Sequence, residues 1–203
     1  MLLRTLQHSE PALWERATKH PFLQGVGSGR TDSFEVWLRQ DALFVSDLIE
    51  FQSRLVARAP RSAQRILATG VVGLVEELDW FDAQADRLEI SIPAEPLQAT
   101  RAYRELLRQL DTAPYKDALA ALWLIERVYL EAWQYARSCG AGGRHAAAIS
   151  HWTQAEFVGY VMALEQQVVD LNDHGSVASV DVLRRVLVCE AAFWDMAVAG
   201  DPA

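Results

Sequence analysis

Cysteine is scarce in this chain: Cys139 and Cys189 are the only two in 203 residues. Two separated thiols supply neither a disulfide framework nor a metal-binding spacing, and they point to a reducing, cytoplasmic setting. No uninterrupted apolar stretch reaches the ~20 residues that a membrane-spanning helix needs, so no membrane partner is expected. The beginning of the chain lacks the charged start, apolar run and cleavage site of a signal peptide. Cations are outnumbered, 19 Lys and Arg against 27 Asp and Glu, for a net charge of −8. With no basic face and no helix-turn-helix pattern, that balance argues against nucleic acid as a partner. Repeats, low-complexity stretches and long linkers are also missing. The expectation is one domain over 1–203 with a sizeable core.

What remains is half apolar and periodic. Apolar residues recur at the three- and four-residue spacing of buried helix faces almost throughout. This predicts an all-α, single-domain bundle of about seven main helices. The first spans 9–19, with Ser9 as N-cap and Pro11 in its first turn, and Gly25, Gly27 and Gly29 follow as a loop. The second starts near Thr31-Asp32-Ser33 and runs to 59, burying Phe34, Trp37, Leu38, Phe44, Val45, Leu48 and Leu55. The third covers 62–88, with Ile66, Leu67, Val71, Leu74, Leu78 and Phe81 inward. A connection over 89–96 holds Pro93 and Pro96. The fourth helix spans 97–110, and Pro114 opens a fifth that ends at Cys139. The sixth is read as continuous over 145–172. The last runs over 179–198, after a break at His174-Gly175-Ser176.

Four acids interrupt these apolar faces. Glu126 lies three or four residues from Leu122, Trp123, Tyr129 and Leu130, and so sits inside the buried face of the fifth helix. Asp41, Glu77 and Glu190 occupy similar positions on the second, third and last helices. Glu77 could equally serve as a structural partner, while Glu76, Asp79 and Asp82 read as solvated. One such acid is ordinarily a satisfied core residue. Four on four helices point to a shared polar pocket, because charged side chains are seldom buried without partners.

Two chemistries fit clustered carboxylates in a bundle. A di-metal site would take Glu-x-x-His on two helices, and that motif is absent, so no metal and no cofactor are expected. The other chemistry is recognition of an organic base with acid–base catalysis. Carboxylates accept from an exocyclic amine and from a protonated ring nitrogen, and acids in unlike environments divide the acid and base roles. Phe44, Tyr103, Tyr129, Trp152 and Phe193 fall at helical spacing near the acids and would suit a flat heterocycle. Any one of them alone is ordinary core.

Several motifs resemble a known family. Trp14-Glu-Arg-Ala-Thr-Lys-His20-Pro-Phe22-Leu, Gly29 and Phe34-x-x-Trp37-Leu-x-Gln40-Asp41 resemble the opening of the TenA (thiaminase II) family. Ala118-Leu-x-Ala-Leu-Trp123-x-Ile-Glu126-x-x-Tyr129 and Glu190-x-x-Phe193-Trp194-Asp-Met196 resemble its later motifs. The resemblance implies a haem oxygenase-like bundle, assembled as a homo-oligomer, a tetramer or dimer. It implies that Asp41 binds an aminopyrimidine, that Glu190 acts at the pyrimidine, and that Tyr103, Tyr129 and Trp152 line the pocket. Phe44 stands where many members carry tyrosine. Ile125 stands where thiaminase-type members carry the nucleophilic cysteine, so the chain is similar to the cysteine-less branch. That branch implies hydrolysis of an aminomethyl or formylaminomethyl pyrimidine from thiamin breakdown towards the hydroxymethyl pyrimidine. Glu126 would activate water there and Glu190 would carry the proton. Two alternatives stay open: a non-catalytic binder of a small heterocycle, and a haem or di-metal protein on the same fold.

Overall fold

The structure is a computed structural model that describes residues 2–31, 33–92, 94–173, 175 and 177–199. Asp32, Pro93, His174 and Ser176, which the sequence reading used to mark boundaries and connections, lie outside the described residues. Among the described residues the chain forms ten α-helices and one short 3₁₀ turn: α1 Leu2–Ser9, α2 Pro11–Thr18, α3 Pro21–Gly27, α4 Phe34–Arg58, α5 Arg61–Leu88, α6 Gln98–Leu110, α7 Tyr115–Ser138, the 3₁₀ turn Gly143–His145, α8 Ala146–His151, α9 Ala155–Asp173 and α10 Val180–Ala199.

α7 is the central post. It packs against α2, α3, α4, α8, α9 and α10. Every residue from Asp117 to Glu126 on it is buried, which corrects the expectation of a one-sided apolar stripe. A helix apolar on all sides belongs in the middle of a bundle. α4 and α5 form a long antiparallel pair beside it, joined where Ala59 takes an extended backbone (φ −72°, ψ 147°) ahead of Pro60. Proline's ring forces that conformation on the residue before it.

Other sequence expectations also differ from the fold. The helix read over 9–19 is α2, and a separate helix, α1, precedes it. Ser9 ends α1, where its hydroxyl donates to the Leu6 carbonyl, and Glu10 occupies the N-cap of α2. The Gly25 to Gly29 loop is largely α3. His20 is extended before Pro21, as expected, but Pro21 then opens a new helix at its favoured first position. The His20 ring caps that helix by accepting from the Phe22 N–H at 3.2 Å. Gly27 belongs there for packing, since a Cβ would lie 2.0 Å from the Ala136 carbonyl oxygen of α7. The sixth helix is broken into α8 and α9 at Trp152, Thr153 and Gln154. Thr153 Oγ1 donates to the Ile149 carbonyl at 2.6 Å, a side-chain bond that competes with the helical ladder. Ile66, Val71, Leu78, Phe157 and Tyr160 are half-buried, not core. Among the described residues no helix is long and apolar enough to cross a membrane.

Candidate active site

The four acids meet where α4, α5, α7 and α10 face one another. Asp41, Glu126 and Glu190 are enclosed, at 2%, 5% and 3% exposure, and Glu77 is half-buried. Their charges act on one another. Asp41 raises the carboxyls of Glu77, Glu126 and Glu190, and Glu126 raises those of Glu77 and Glu190.

Burial is the largest influence on each. It pushes Asp41 up to about 7, against an ordinary 3.8, with the Tyr129 hydrogen bond pulling the other way. Glu126 is pushed up to about 8 by burial and then by Asp41. Glu190 also reaches about 8, with the Tyr103 hydrogen bond opposing the shift. Glu77 lies well above its ordinary range through burial, then Glu126 and Asp41. Removal from water and mutual repulsion both disfavour the ionised form. At neutral pH the cluster therefore holds protons that it can give up.

Two of the acids are held by tyrosines. Tyr129, one turn beyond Glu126 on α7, donates its hydroxyl to Asp41 Oδ2 at 2.5 Å. Tyr103 of α6 donates to Glu190 Oε1 at 2.5 Å. α6 is fixed in turn by Gln40, the neighbour of Asp41 on α4. Gln40 Oε1 accepts from Thr100 Oγ1 at 2.6 Å and from the Leu97 N–H at 2.9 Å, and Nε2 donates to the Glu95 carbonyl at 3.0 Å. Glu126 differs: its Oε1 is buried with no hydrogen-bond partner. Buried polar atoms in native proteins nearly always have one.

The predicted aromatics divide into two groups. Phe44, Tyr103 and Phe193 form a corner beside Glu190, with Phe44 at 4.5 Å from Tyr103 and 5.8 Å from Phe193, ring centre to ring centre. Tyr129 and Trp152 belong to a larger cluster with Trp37, Trp133 and Trp194. The indole N–H groups of Trp37, Trp133 and Trp152 there are buried without hydrogen-bond acceptors. Trp194 donates to the Ala17 carbonyl at 2.8 Å and is a packing residue.

A cleft of about 280 Å³ reaches this cluster from the surface between α5 and α9. Glu126 and Glu77 stand in its wall, with Gly70, His151, Phe157 and Tyr160. Asp41 and Glu190 do not line it. Sequence reasoning passed over Tyr160, Gln52 and Gly70. Gly70 was the available signal, because a glycine inside a helix costs ~1 kcal/mol and asks for a close approach. A Cβ there would lie 2.1 Å from Tyr160 Oη.

Neither cysteine is among the residues that line the cleft. Ile125 is buried. Cys189 is half-buried, and burial first, then Glu190, pushes its thiol up to about 12. Cys139 occupies the C-cap of α7. Among the described residues no three of His, Cys, Asp and Glu are grouped so as to hold a metal ion.

The model of the TENA/THI-4/PQQC family matches residues 9–200. A probable bifunctional TENA-E protein of Glycine max is 28% identical over 202 residues, 91% of this chain and 87% of that protein. Among solved structures, a TenA homologue from Pyrococcus furiosus superposes with a TM-score of 0.87 at 26% identity, over 97% of this chain and 100% of that one. A putative TenA-like thiaminase from Sulfolobus solfataricus superposes at 0.82 with 18% identity, over 98% and 97%. The shared architecture is the haem oxygenase-like bundle. A match running from before α2 to the end of α10 leaves one conclusion: the chain belongs to the TENA/THI-4/PQQC family.

Proposed function

We propose that the protein is a thiamin-related hydrolase that replaces the amine of an aminomethyl pyrimidine, or the formylamine of its N-formyl form, by hydroxyl. The observation that carries this reading is the set of three enclosed carboxyls, Asp41, Glu126 and Glu190, in one electrostatically coupled group. Such a group suits an electron-poor heterocycle bearing an amine, which supplies the donors and positive charge that the acids lack.

Each acid takes a role from its surroundings. Asp41, oriented by Tyr129, accepts from the ring amine and a ring nitrogen. Glu190, oriented by Tyr103 and protonated near neutral pH, gives its proton to the departing amine. Glu126, which lines the cleft and keeps an oxygen without a partner, takes a proton from water in the fraction of molecules in which its raised carboxyl is ionised. The water oxygen bonds to the methylene carbon, the C–N pair leaves with nitrogen, and ammonia and the hydroxymethyl pyrimidine result. Phe44 and Phe193 confine the ring, and Glu77 adds charge in the wall of the cleft. No thiol takes part.

Names of relatives point the same way: one is a TENA-E protein and one a putative thiaminase. Val72 and Val75 on α5 and Met162 and Val169 on α9 are exposed apolar residues on two helices that pack together. They suit the self-association expected of the chain, which sedimentation would detect. A second reading, a binder without chemistry, rests on Ile125 in place of a nucleophile.

The test is turnover of the aminomethyl pyrimidine, its N-formyl derivative and thiamin, each with and without a thiol-alkylating agent. Conversion of a pyrimidine amine that survives alkylation supports the hydrolase. Tight binding without product over hours favours the binder. Thiamin cleavage abolished by alkylation contradicts the thiol-free mechanism.

A further inference from the structure

Asp41 and Glu190 each have a tyrosine, and Glu126 has none within hydrogen-bond reach. A third tyrosine nevertheless faces it. Tyr160 of α9 lines the same cleft as Glu126, and Glu126 and Glu77 are the charges that raise its hydroxyl after burial itself. Gln52 of α4, fully buried, fixes how that hydroxyl points. Its Nε2 donates to the Leu67 carbonyl at 2.7 Å and to Tyr160 Oη at 2.9 Å. The Leu67 carbonyl can only accept, so the amide is locked with its nitrogen towards both oxygens. Tyr160 Oη is therefore an acceptor in this pair. Its own proton must point elsewhere, and among the described residues no protein group receives it. Gly70 makes the arrangement possible, because any Cβ there would collide with both Tyr160 Oη and Gln52 Nε2.

One cleft is thus lined by a carboxyl with a buried, unpartnered oxygen and by a hydroxyl whose proton no described group receives. We propose that Tyr160, aimed by Gln52, holds the hydrolytic water against Glu126 Oε1. The inference rests on the hydrolase reading above and deepens it. Water at this position gives one proton to Glu126 and accepts one hydrogen bond from Tyr160. That leaves a lone pair directed by two fixed groups. In the reaction, water oxygen bonds to the methylene carbon, its proton passes to Glu126, and the amine leaves with a proton from Glu190. Tyr160 is a positioning residue: it orients the water and keeps its own proton.

The test compares wild type, Tyr160→Phe and Gln52→Met on the aminomethyl pyrimidine, with and without hydroxylamine as a competing nucleophile. The Phe variant should lose kcat roughly tenfold, the worth of one orienting hydrogen bond, with KM within about twofold. Its product should shift towards the hydroxylamine adduct, since only the water has lost its orienting partner. Gln52→Met, which frees the hydroxyl to rotate, should shift the product the same way and less. A wild-type ratio of hydrolysis to adduct in both variants overturns the proposal, even where kcat falls. Wild type that turns over no pyrimidine amine overturns the hydrolase reading, and the water site with it. An active wild type with unaltered variants overturns the water site alone.

Discussion

The inner and outer halves of the acid cluster are built differently. Inside, Asp41 and Glu190 each accept a tyrosine hydroxyl and are shut away from the cleft. Outside, Glu126 and Glu77 line the cleft, and Glu126 keeps an oxygen with no partner. All four carry raised pKa values, chiefly from burial. Burial alone therefore does not separate their roles; hydrogen bonding does. A carboxyl pinned by a phenol has a fixed direction, which suits binding a ring or delivering a proton. A carboxyl that lines a cleft and keeps an unpartnered oxygen suits a group that must exchange protons with water.

Breaking the inner half should have the largest effect. Glu190→Gln keeps shape and removes the transferable proton, so kcat should fall by about 10²–10⁴, the usual worth of a general acid. Asp41→Asn should act mainly on binding. Loss of a charge-assisted hydrogen bond, about 1.5–3 kcal/mol, should weaken pyrimidine affinity roughly tenfold to 100-fold in a calorimetric titration. The tyrosines sharpen the contrast with a smaller effect. Tyr103→Phe removes the bond that lowers Glu190, so its carboxyl rises further and the alkaline limb of kcat/KM moves to higher pH. Tyr129→Phe should not move that limb upward, because Tyr129 holds Asp41, and a more fully protonated Asp41 repels Glu190 less. The smallest effect is expected from thiol alkylation. Cys189, pushed up to about 12, is almost wholly thiol at neutral pH, so wild-type turnover with a pyrimidine amine should be unchanged.

Much of this contrast was legible in the sequence. The period of apolar residues gives the long helices, because burial of one face dominates their stability. Acids at positions 41, 77, 126 and 190 violate that period, which is why they can be found without a structure. The tyrosine partners are harder to read. Tyr103 and Tyr129 look like core residues until their hydroxyls are seen to meet acids 87 and 88 positions away. Tyr160 and Gln52 carry still less signal, since their pairing depends on how closely α5 approaches α9 at Gly70. The break at Trp152 is hidden for another reason. No glycine or proline marks it. Pro21 misleads in the opposite sense, since the same residue that ends one helix starts the next.

The central claim is that the buried carboxyls share one site and keep their protons near neutral pH. Urea unfolding from pH 5 to pH 8 tests it most directly, on wild type and on Glu126→Gln. Carboxyls raised to about 7 and 8 in the folded chain bind protons that the unfolded chain has released. Their contribution to stability is complete below about pH 4 and is lost as pH rises through 7 to 8. Wild type should therefore weaken steadily from pH 5 to pH 8. Glu126→Gln removes one of these groups and relieves its neighbours. It should match wild type near pH 5 and exceed it at pH 8 by about 1–3 kcal/mol. Parallel pH profiles for the two proteins, or a variant weaker than wild type at pH 8, would contradict the account.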